Sequence, residues 1–175
     1  REDHGGDAGL GESGSHRRGP VGVQLAVRRL DEREATERLQ DVVGDLLPVS
    51  GRYTGSQKTC VNHLREAFRL TRAQLVPGRV GREIDAPARA YFQKHGFTKY
   101  LVCPFVHTIG LHEAESPFFG PNSGDVLEPG MTVCVDISFF GHPEWNGARI
   151  ETGYEITAAG AVPLSPAMDR LFLES

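Results

Sequence analysis

The tripeptide VPG at residues 76–78 constrains the fold more than any other short stretch of the chain, because proline and glycine together stop a helix. Residues 60–75, which precede it, carry apolar side chains at helical spacing, and residues 82–97, which follow it, form a second helical pattern. Residues 99–106 are then rich in β-branched and aromatic side chains, which predicts a strand. The chain therefore places two helices ahead of its strands.

Further strand candidates follow at residues 132–140 and 148–157, after a loop rich in proline and glycine over residues 115–131. Residues 158–165 predict a closing turn, and residues 47–59, punctuated by glycine and serine, predict a strand or hairpin. Two helices followed by a cluster of antiparallel strands indicate the α+β class.

The amino-terminal part of the chain differs in composition from the rest. Residues 1–20 are charged and glycine-rich with almost no apolar side chains, so they predict a disordered segment that cannot offset its ordering entropy. Residues 21–27 favour a short strand, and residues 30–47 favour an amphipathic helix. With 175 residues in total, we expect one domain over residues 21–175.

Composition excludes two classes of partner. The formal net charge of −4 argues against binding to nucleic acid. No apolar run approaches the roughly 18 residues of a membrane helix, and no signal-peptide pattern opens the chain, so a cytoplasmic protein without a membrane partner is expected. Cys60, Cys103 and Cys134 lie in apolar stretches without a CxxC-type spacing, which predicts buried free thiols.

Polar residues interrupt the predicted strands at four places. Asp136 has apolar neighbours on both sides, and a carboxylate buried there needs a partner because its desolvation is costly. Arg149 and Glu151 are two residues apart on a strand, so both should point to one face. His107 ends the strand of residues 99–106 in this interpretation, with its imidazole exposed at a glycine turn, and His112 follows it.

Two interpretations of these residues remain open from the residue types alone. Arg149 could form a buried ion pair with Glu151 or Asp136, with the histidines as hydrogen-bonded loop residues. Alternatively, His107, Asp136 and Glu151 could converge on one pocket. That pocket could hold one divalent ion (Mn, Co, Fe or Zn), or it could work without metal, with the imidazole as acid and base.

Four short motifs, in their order and spacing, resemble one family of hydrolases. They are HTIGLHE at residues 107–113, LEPGM at residues 127–131 leading to Asp136, RIE at residues 149–151, and the helix–PG–helix stretch of residues 76–97. Together they resemble the pita-bread hydrolases, the family of methionine aminopeptidase, Xaa-Pro dipeptidase, aminopeptidase P and creatinase. The resemblance covers residues from about 47 to 165 and implies a pita-bread fold that is incomplete at its N-terminal side.

The chain departs from the peptidases of this family at several positions. Those peptidases bind two metal ions with five side chains, two of which are aspartates on one strand. Here one aspartate position falls on Gly55, which has no ligand atom, and Asp45 is one residue away from the other. This stretch is similar to creatinase, the metal-free member. Asp136 stands where the family has glutamate, and the loop between Gly110 and His112 is shorter than the common pattern.

The resemblance implies a hydrolase of C–N bonds in a small amide, guanidino or short-peptide substrate. His107 would be the general acid and base, and His112 would donate to the developing oxyanion. Asp136 and Glu151 would bind the substrate or, with His107, a single metal ion, while Arg149 would orient Glu151 or a substrate carboxylate. The resemblance also implies a homodimer. The alternative is a catalytically inactive binding or scaffold module that has lost the dinuclear metal site.

The substrate-binding wall is predicted from loop aromatics. Phe118, Phe119 and Trp145 lie in the loops on either side of the strand at residues 132–140, where they could line a pocket. Ordinary loop packing explains the same residues equally well.

Overall fold

The computed structural model describes residues 52–174 of the chain. The predicted disordered segment at residues 1–20, the strand at residues 21–27 and the helix at residues 30–47 lie outside the described residues. Within residues 52–174 there is no helix with the length and apolar content needed to cross a membrane.

Helix α1 (Gly55–Arg72) begins at a capping box. The backbone N–H of Gln57 donates to the Thr54 hydroxyl at 3.2 Å, and the Thr54 N–H donates to the Gln57 side chain at 2.9 Å. These two bonds satisfy backbone donors that the first helical turn leaves unpaired. The strand or hairpin predicted over residues 47–59 is therefore wrong for residues 55–59, which form the first turn of α1.

Helix α2 (Gly81–Lys94) follows the VPG break, as predicted. Gly78 adopts a φ of +86° and Gly96 a φ of +79°, backbone conformations that side-chain-bearing residues rarely adopt. The two glycines therefore fix where the connection into α2 turns and where the chain leaves it. Helix α3 (Pro166–Glu174) closes the described chain.

Five strands form one antiparallel sheet. They are β1 (Val106–Thr108), β2 (Glu115–Phe118), β3 (Thr132–Ser138), β4 (Arg149–Thr157) and β5 (Gly160–Pro163), in the order β2-β1-β3-β4-β5. Helices packed against an antiparallel sheet confirm the predicted α+β class.

Strand lengths differ from the prediction in three places. The strand expected over residues 99–106 is mostly irregular, with a 3₁₀ turn at Thr98–Tyr100, and β1 begins only at Val106. Pro104 has no N–H to donate to a strand ladder, which accounts for the late start. The predicted loop over residues 115–131 contains β2, and the predicted closing turn contains β5.

The two faces of the sheet have different roles. Apolar residues of β3 and β4 alternate toward α1 and are fully buried there, and they are Val133, Val135, Ile137, Ile150, Tyr154 and Ile156. The alternate positions of β1, β3 and β4 carry His107, Cys134, Asp136 and Glu151. We call this second side the site face. Strand side chains alternate, so burial of the apolar residues against α1 places the residues between them on the site face.

Candidate functional site

Strand pairing brings the predicted site residues together on the site face. His107 of β1 lies opposite Cys134 of β3, and Asp136 lies opposite Glu151 of β4. Because Cys134 and Asp136 are two residues apart, both project from the same side of β3. The sheet thereby gathers an imidazole, a thiol and two carboxylates from three neighbouring strands.

Glu151 is the centre of this group, and its two oxygens have different partners. Oε1 accepts a hydrogen bond from the Cys134 thiol at 3.1 Å and lies 3.7 Å from Nε2 of His107. Oε2 lies 2.5 Å from Nη2 of Arg149. Only 4 % of the Glu151 side chain is exposed, so these contacts replace solvent around the carboxylate.

Arg149 joins three carboxylates. Its Nε donates to Oδ1 of Asp136 at 2.9 Å, and its Nη2 reaches Oε1 of Glu113 at 3.2 Å in addition to Glu151. Arg149 and Glu151 therefore share one face, as their spacing predicted. The guanidinium places a positive charge between the two acidic residues of the site face.

His107 is buried, with 5 % of its surface exposed, so the prediction of an exposed imidazole at a strand end is wrong. The reason is that β1 lies inside the sheet, with β2 on one side and β3 on the other. Nδ1 of His107 lies 3.1 Å from the carbonyl oxygen of Thr108. A carbonyl only accepts, so Nδ1 carries a proton and Nε2 is the atom that faces Glu151.

Burial and neighbouring charges together set the pKa values of His107 and Glu151. Burial alone lowers the pKa of His107, but its contacts with Glu151, Thr108 and Asp136 raise it above the usual imidazole value. Burial alone raises the pKa of Glu151, yet its contacts with His107 and Arg149 leave it below the usual value. Glu151 is therefore ionised at neutral pH and stabilises a protonated His107.

The pKa shifts of Asp136 and Cys134 favour the neutral form of each group instead. Burial raises the pKa of Asp136 to about 6, against the opposing effect of Arg149 and with the help of the Glu151 charge. Burial, reinforced by the Glu151 charge, raises the pKa of the Cys134 thiol well above its ordinary value. Cys134 is therefore a neutral hydrogen-bond donor in this arrangement.

His112 lies apart from this group. Its side chain is exposed in the loop between β1 and β2, and its backbone N–H donates to Oε1 of Glu115 at 2.7 Å. Its predicted role as an oxyanion donor stays a prediction.

The three aromatic residues predicted as a wall separate into two groups. Phe118 is 43 % exposed, and its ring centroid lies 6.3 Å from that of His107. Phe119 is fully buried, and Trp145 is 8 % exposed and belongs to the same hydrophobic core. Phe118 is therefore the one of these three rings beside the site group, while the other two have a packing role.

The donor groups of the described residues fit one metal ion and do not fit two. Within residues 52–174 one set of three potential ligands occurs, made of His107, Cys134 and Glu151, with donor atoms all within 4.8 Å of one another. Asp136, the predicted third ligand, is instead bound by Arg149. Gly55 begins α1 and supplies no ligand atom, so the described chain lacks that part of a dinuclear centre.

The cysteines were predicted only in part. Cys60 and Cys134 are buried free thiols as expected, but Cys103 is exposed, because residues 101–104 run outside the sheet. Sequence reasoning missed Cys134 as a member of the site. The available signal was its position two residues before Asp136, which places both on one face of β3.

Comparison with known proteins places this geometry in a family. The model of metallopeptidase family M24 matches residues 44–158. The uncharacterized peptidase YqhT of Bacillus subtilis (strain 168) is 36 % identical over 95 residues, which cover 54 % of this chain and 27 % of that protein. The structure is also similar to an Xaa-Pro dipeptidase from Bacillus anthracis, with a TM-score of 0.63, 32 % identity, and 71 % of this chain and 35 % of that one covered.

Two solved prolidase structures show the same fold. The prolidase from Pyrococcus horikoshii OT3 has a TM-score of 0.63 at 26 % identity, over 70 % of this chain and 35 % of that one. The prolidase from Pyrococcus furiosus has a TM-score of 0.61 at 27 % identity, over 67 % of this chain and 34 % of that one. The pita-bread fold implied by the sequence motifs is thereby confirmed. The matched region is about a third of the length of these solved relatives.

Proposed function

Because the chain belongs to metallopeptidase family M24, a family of hydrolases, we propose that it hydrolyses the C–N bond of a short peptide or related small amide or guanidino substrate at the site face. One observation carries this proposal. Arg149 already pairs with Asp136 and Glu151, and this leaves Nε2 of His107, beside an ionised carboxylate, as the group that can exchange a proton.

The proposed chemistry is general acid–base catalysis. Water adds to the carbon of the scissile bond, His107 takes up its proton, and the C–N bond breaks as a proton is delivered to the leaving nitrogen. Glu151 stabilises the imidazolium between these two transfers, because its carboxylate is ionised and lies 3.7 Å from Nε2. The hydrogen bond from Nδ1 to Thr108 keeps the ring oriented throughout.

Arg149 is the proposed anchor for the substrate. The Glu113 carboxylate that it binds is 63 % exposed, so a substrate carboxylate can replace Glu113 on Nη2 at little energetic cost. A planar guanidinium suits such a carboxylate because it can donate two parallel hydrogen bonds. The names of the similar enzymes, an Xaa-Pro dipeptidase and two prolidases, favour a dipeptide with a carboxy-terminal proline as the first substrate to try.

The family is one of metallopeptidases, so a metal ion at the site face is a second way to promote the same hydrolysis. His107, Cys134 and Glu151 are the described residues that would hold an ion, which would supply Lewis-acid polarisation of the scissile carbonyl. The acid–base route itself needs no ion, because Arg149 already provides a cationic partner for Asp136 and Glu151.

The test is hydrolysis of an Xaa-Pro dipeptide, and of creatine as the guanidino substrate, by the purified protein in the presence of EDTA. We expect turnover that His107→Asn reduces by at least about 100-fold, as removal of a general acid–base group should. His95→Asn is the matched control, because that histidine is exposed at the end of α2. Turnover in EDTA that survives His107→Asn would contradict the proposed role.

A non-catalytic binding module is the second candidate, and the burial of His107 favours it. Only 5 % of that residue is exposed. The neighbouring Asp136 is paired with Arg149, which also binds Glu113. Absence of turnover on every substrate, together with a rise in melting temperature when a dipeptide is added, would favour this candidate.

A further inference from the structure

We propose that Cys134 is a metal ligand and that the site face binds a single zinc ion through Sγ of Cys134, Nε2 of His107 and Oε1 of Glu151. The thiol supplies a soft donor that the predicted set of His107, Asp136 and Glu151 lacks. This inference concerns ion binding alone and stands or falls independently of the hydrolytic activity proposed above.

The distances between the three donor atoms suit one tetrahedral ion. Zinc binds imidazole nitrogen and carboxylate oxygen at about 2.0–2.2 Å and thiolate sulfur at about 2.3 Å, which separates neighbouring donors by roughly 3.3–3.6 Å. Here Sγ of Cys134 and Oε1 of Glu151 are 3.1 Å apart, and Nε2 of His107 is 3.7 Å from the same oxygen. All three atoms lie within 4.8 Å of one another, so small side-chain rotations complete the geometry.

The groups around the donors hold them in the orientation that an ion requires. Nδ1 of His107 donates to the Thr108 carbonyl, which fixes the tautomer with Nε2 available. Arg149 holds Oε2 of Glu151, so that Oε1 faces the thiol and the imidazole. Histidine and carboxylate ligands in proteins are commonly oriented by such outer hydrogen bonds.

Asp136 is the less suitable third ligand. Its Oδ1 accepts from Nε of Arg149 at 2.9 Å, and the set of donor atoms within 4.8 Å of one another in residues 52–174 contains no Asp136 oxygen. Cys134 belongs to that set, and its thiol contacts the Glu151 oxygen that the ion itself would bind and the carbonyl oxygens of Val135 and Thr152, none of which is a cation. When zinc binds, it replaces the thiol proton, which is released to solvent. A thiolate also favours zinc or cobalt over manganese.

Cobalt(II) is the probe for the thiolate ligand. The protein is stripped with EDTA, dialysed and titrated with cobalt chloride while the near-ultraviolet thiolate-to-cobalt charge-transfer band is recorded. We expect one ion per chain, the appearance of that band, and its loss when zinc is added in competition. Absence of saturable binding, or binding without the band, overturns the proposal.

Four variants assign the ligands. Cys134→Ser should abolish the band and weaken zinc binding by at least about tenfold. Cys60→Ser and Cys103→Ser, whose thiols lie outside the site group, should leave both unchanged. Asp136→Asn should also retain the band. Loss of binding in Asp136→Asn with retention in Cys134→Ser would assign the site to the carboxylate and overturn the inference.

X-ray absorption of the zinc-loaded native protein provides a measurement that does not depend on any variant folding. A sulfur atom at about 2.3 Å from zinc is the expected result. A shell of nitrogen and oxygen alone would exclude Cys134 as a ligand.

Discussion

At the scale of single residues, Asp136 shows that burial can raise the pKa of a carboxyl group even when an arginine is its partner. Burial raises its folded-state pKa from 3.8 to about 6, so between these values the folded protein binds a proton that the unfolded chain has lost. The contribution of Asp136 to stability must therefore decline as the pH rises through this window.

This linkage can be measured by comparing the native protein with Asp136→Asn, in EDTA. We expect the free energy of unfolding of the native protein, relative to that of the variant, to fall as the pH is raised from about 4 to about 6.5. Urea unfolding at several pH values gives this difference. A difference that stays constant with pH would show that Arg149 holds Asp136 at its ordinary pKa.

Nε2 of His107 has a place in both proposals made above. It exchanges the proton in the hydrolytic scheme and binds the ion in the zinc proposal, so the two states exclude one another. If both proposals hold, zinc should inhibit Xaa-Pro hydrolysis, and Cys134→Ser should raise the zinc concentration for half-inhibition by about tenfold or more. Dipeptide hydrolysis measured across a zinc titration tests this, and activation by zinc would count against the acid–base scheme.

At the scale of elements, helix α3 is held to the rest of the fold through Asp169. Arg72 of α1 donates to Asp169 through Nε at 3.0 Å and Nη2 at 3.2 Å, and the buried hydroxyl of Tyr154 on β4 donates to the same carboxylate. One carboxylate thus connects three elements.

Removing this carboxylate should leave a buried hydroxyl without an acceptor. We expect Asp169→Ala to lower the free energy of unfolding by about 2–3 kcal/mol, which is the usual cost of orphaning buried polar groups. Arg170→Ala, at the exposed neighbouring position on α3, is the control and should change it by less than about 0.5 kcal/mol. Equal effects of the two substitutions would mean that the network adds nothing.

The same scale shows how much of the fold could be predicted. Helix α2 and strands β3 and β4 follow from apolar periodicity, since each is long enough for its pattern to be read. The start of α1 could not be predicted this way, because the pair Thr54 and Gln57 decides it locally. Strands β2 and β5 are four residues long and contain proline, so their partners in the sheet define them.

The placement of the candidate residues could be predicted where alternation along strands was enough. The shared face of Arg149 and Glu151 came from their spacing, and the pairing with β3 placed Asp136 beside them. Cys134 was not predicted because a small thiol among valines is indistinguishable from a core residue. The burial of His107 depends on β2, which the sequence pattern did not reveal.

At the scale of the whole molecule, an aromatic cluster connects the helices to the β3–β4 connection. His142 stacks on Trp145 at 4.2 Å, and Nε1 of Trp145 donates to Oγ of Ser56 on α1 at 2.9 Å. His63 of α1 packs edge-on against Phe97, which follows α2, at 4.8 Å. The surroundings of Trp145 therefore depend on how α1, the end of α2 and the β3–β4 connection pack together.

Trp145 is the single tryptophan of the chain, so its fluorescence should follow protonation of His142. Burial lowers the pKa of His142 below 6.5, Glu144 opposes this and Lys99 reinforces it. A protonated imidazole quenches indole emission, so we expect emission to fall with acid, with a midpoint below 6.5. His142→Asn should remove this titration, and a midpoint above 6.5 would contradict the assigned shift.

The homodimer implied by the family resemblance stays a prediction, which sedimentation velocity can check. Phe118, beside His107, is 43 % exposed, and Leu111 in the loop between β1 and β2 is 92 % exposed, so both apolar side chains contact water.

The register of the β3–β4 ladder, with Asp136 opposite Glu151, has a consequence for misfolding. A slip of β4 by one residue against β3 would turn Glu151 toward α1 and push Ile150 outward, so the error would remove apolar side chains from the core as well as a carboxylate from the site face. The slipped hairpin would therefore be less stable than the native one, because it exposes apolar side chains and buries a carboxylate without its partners.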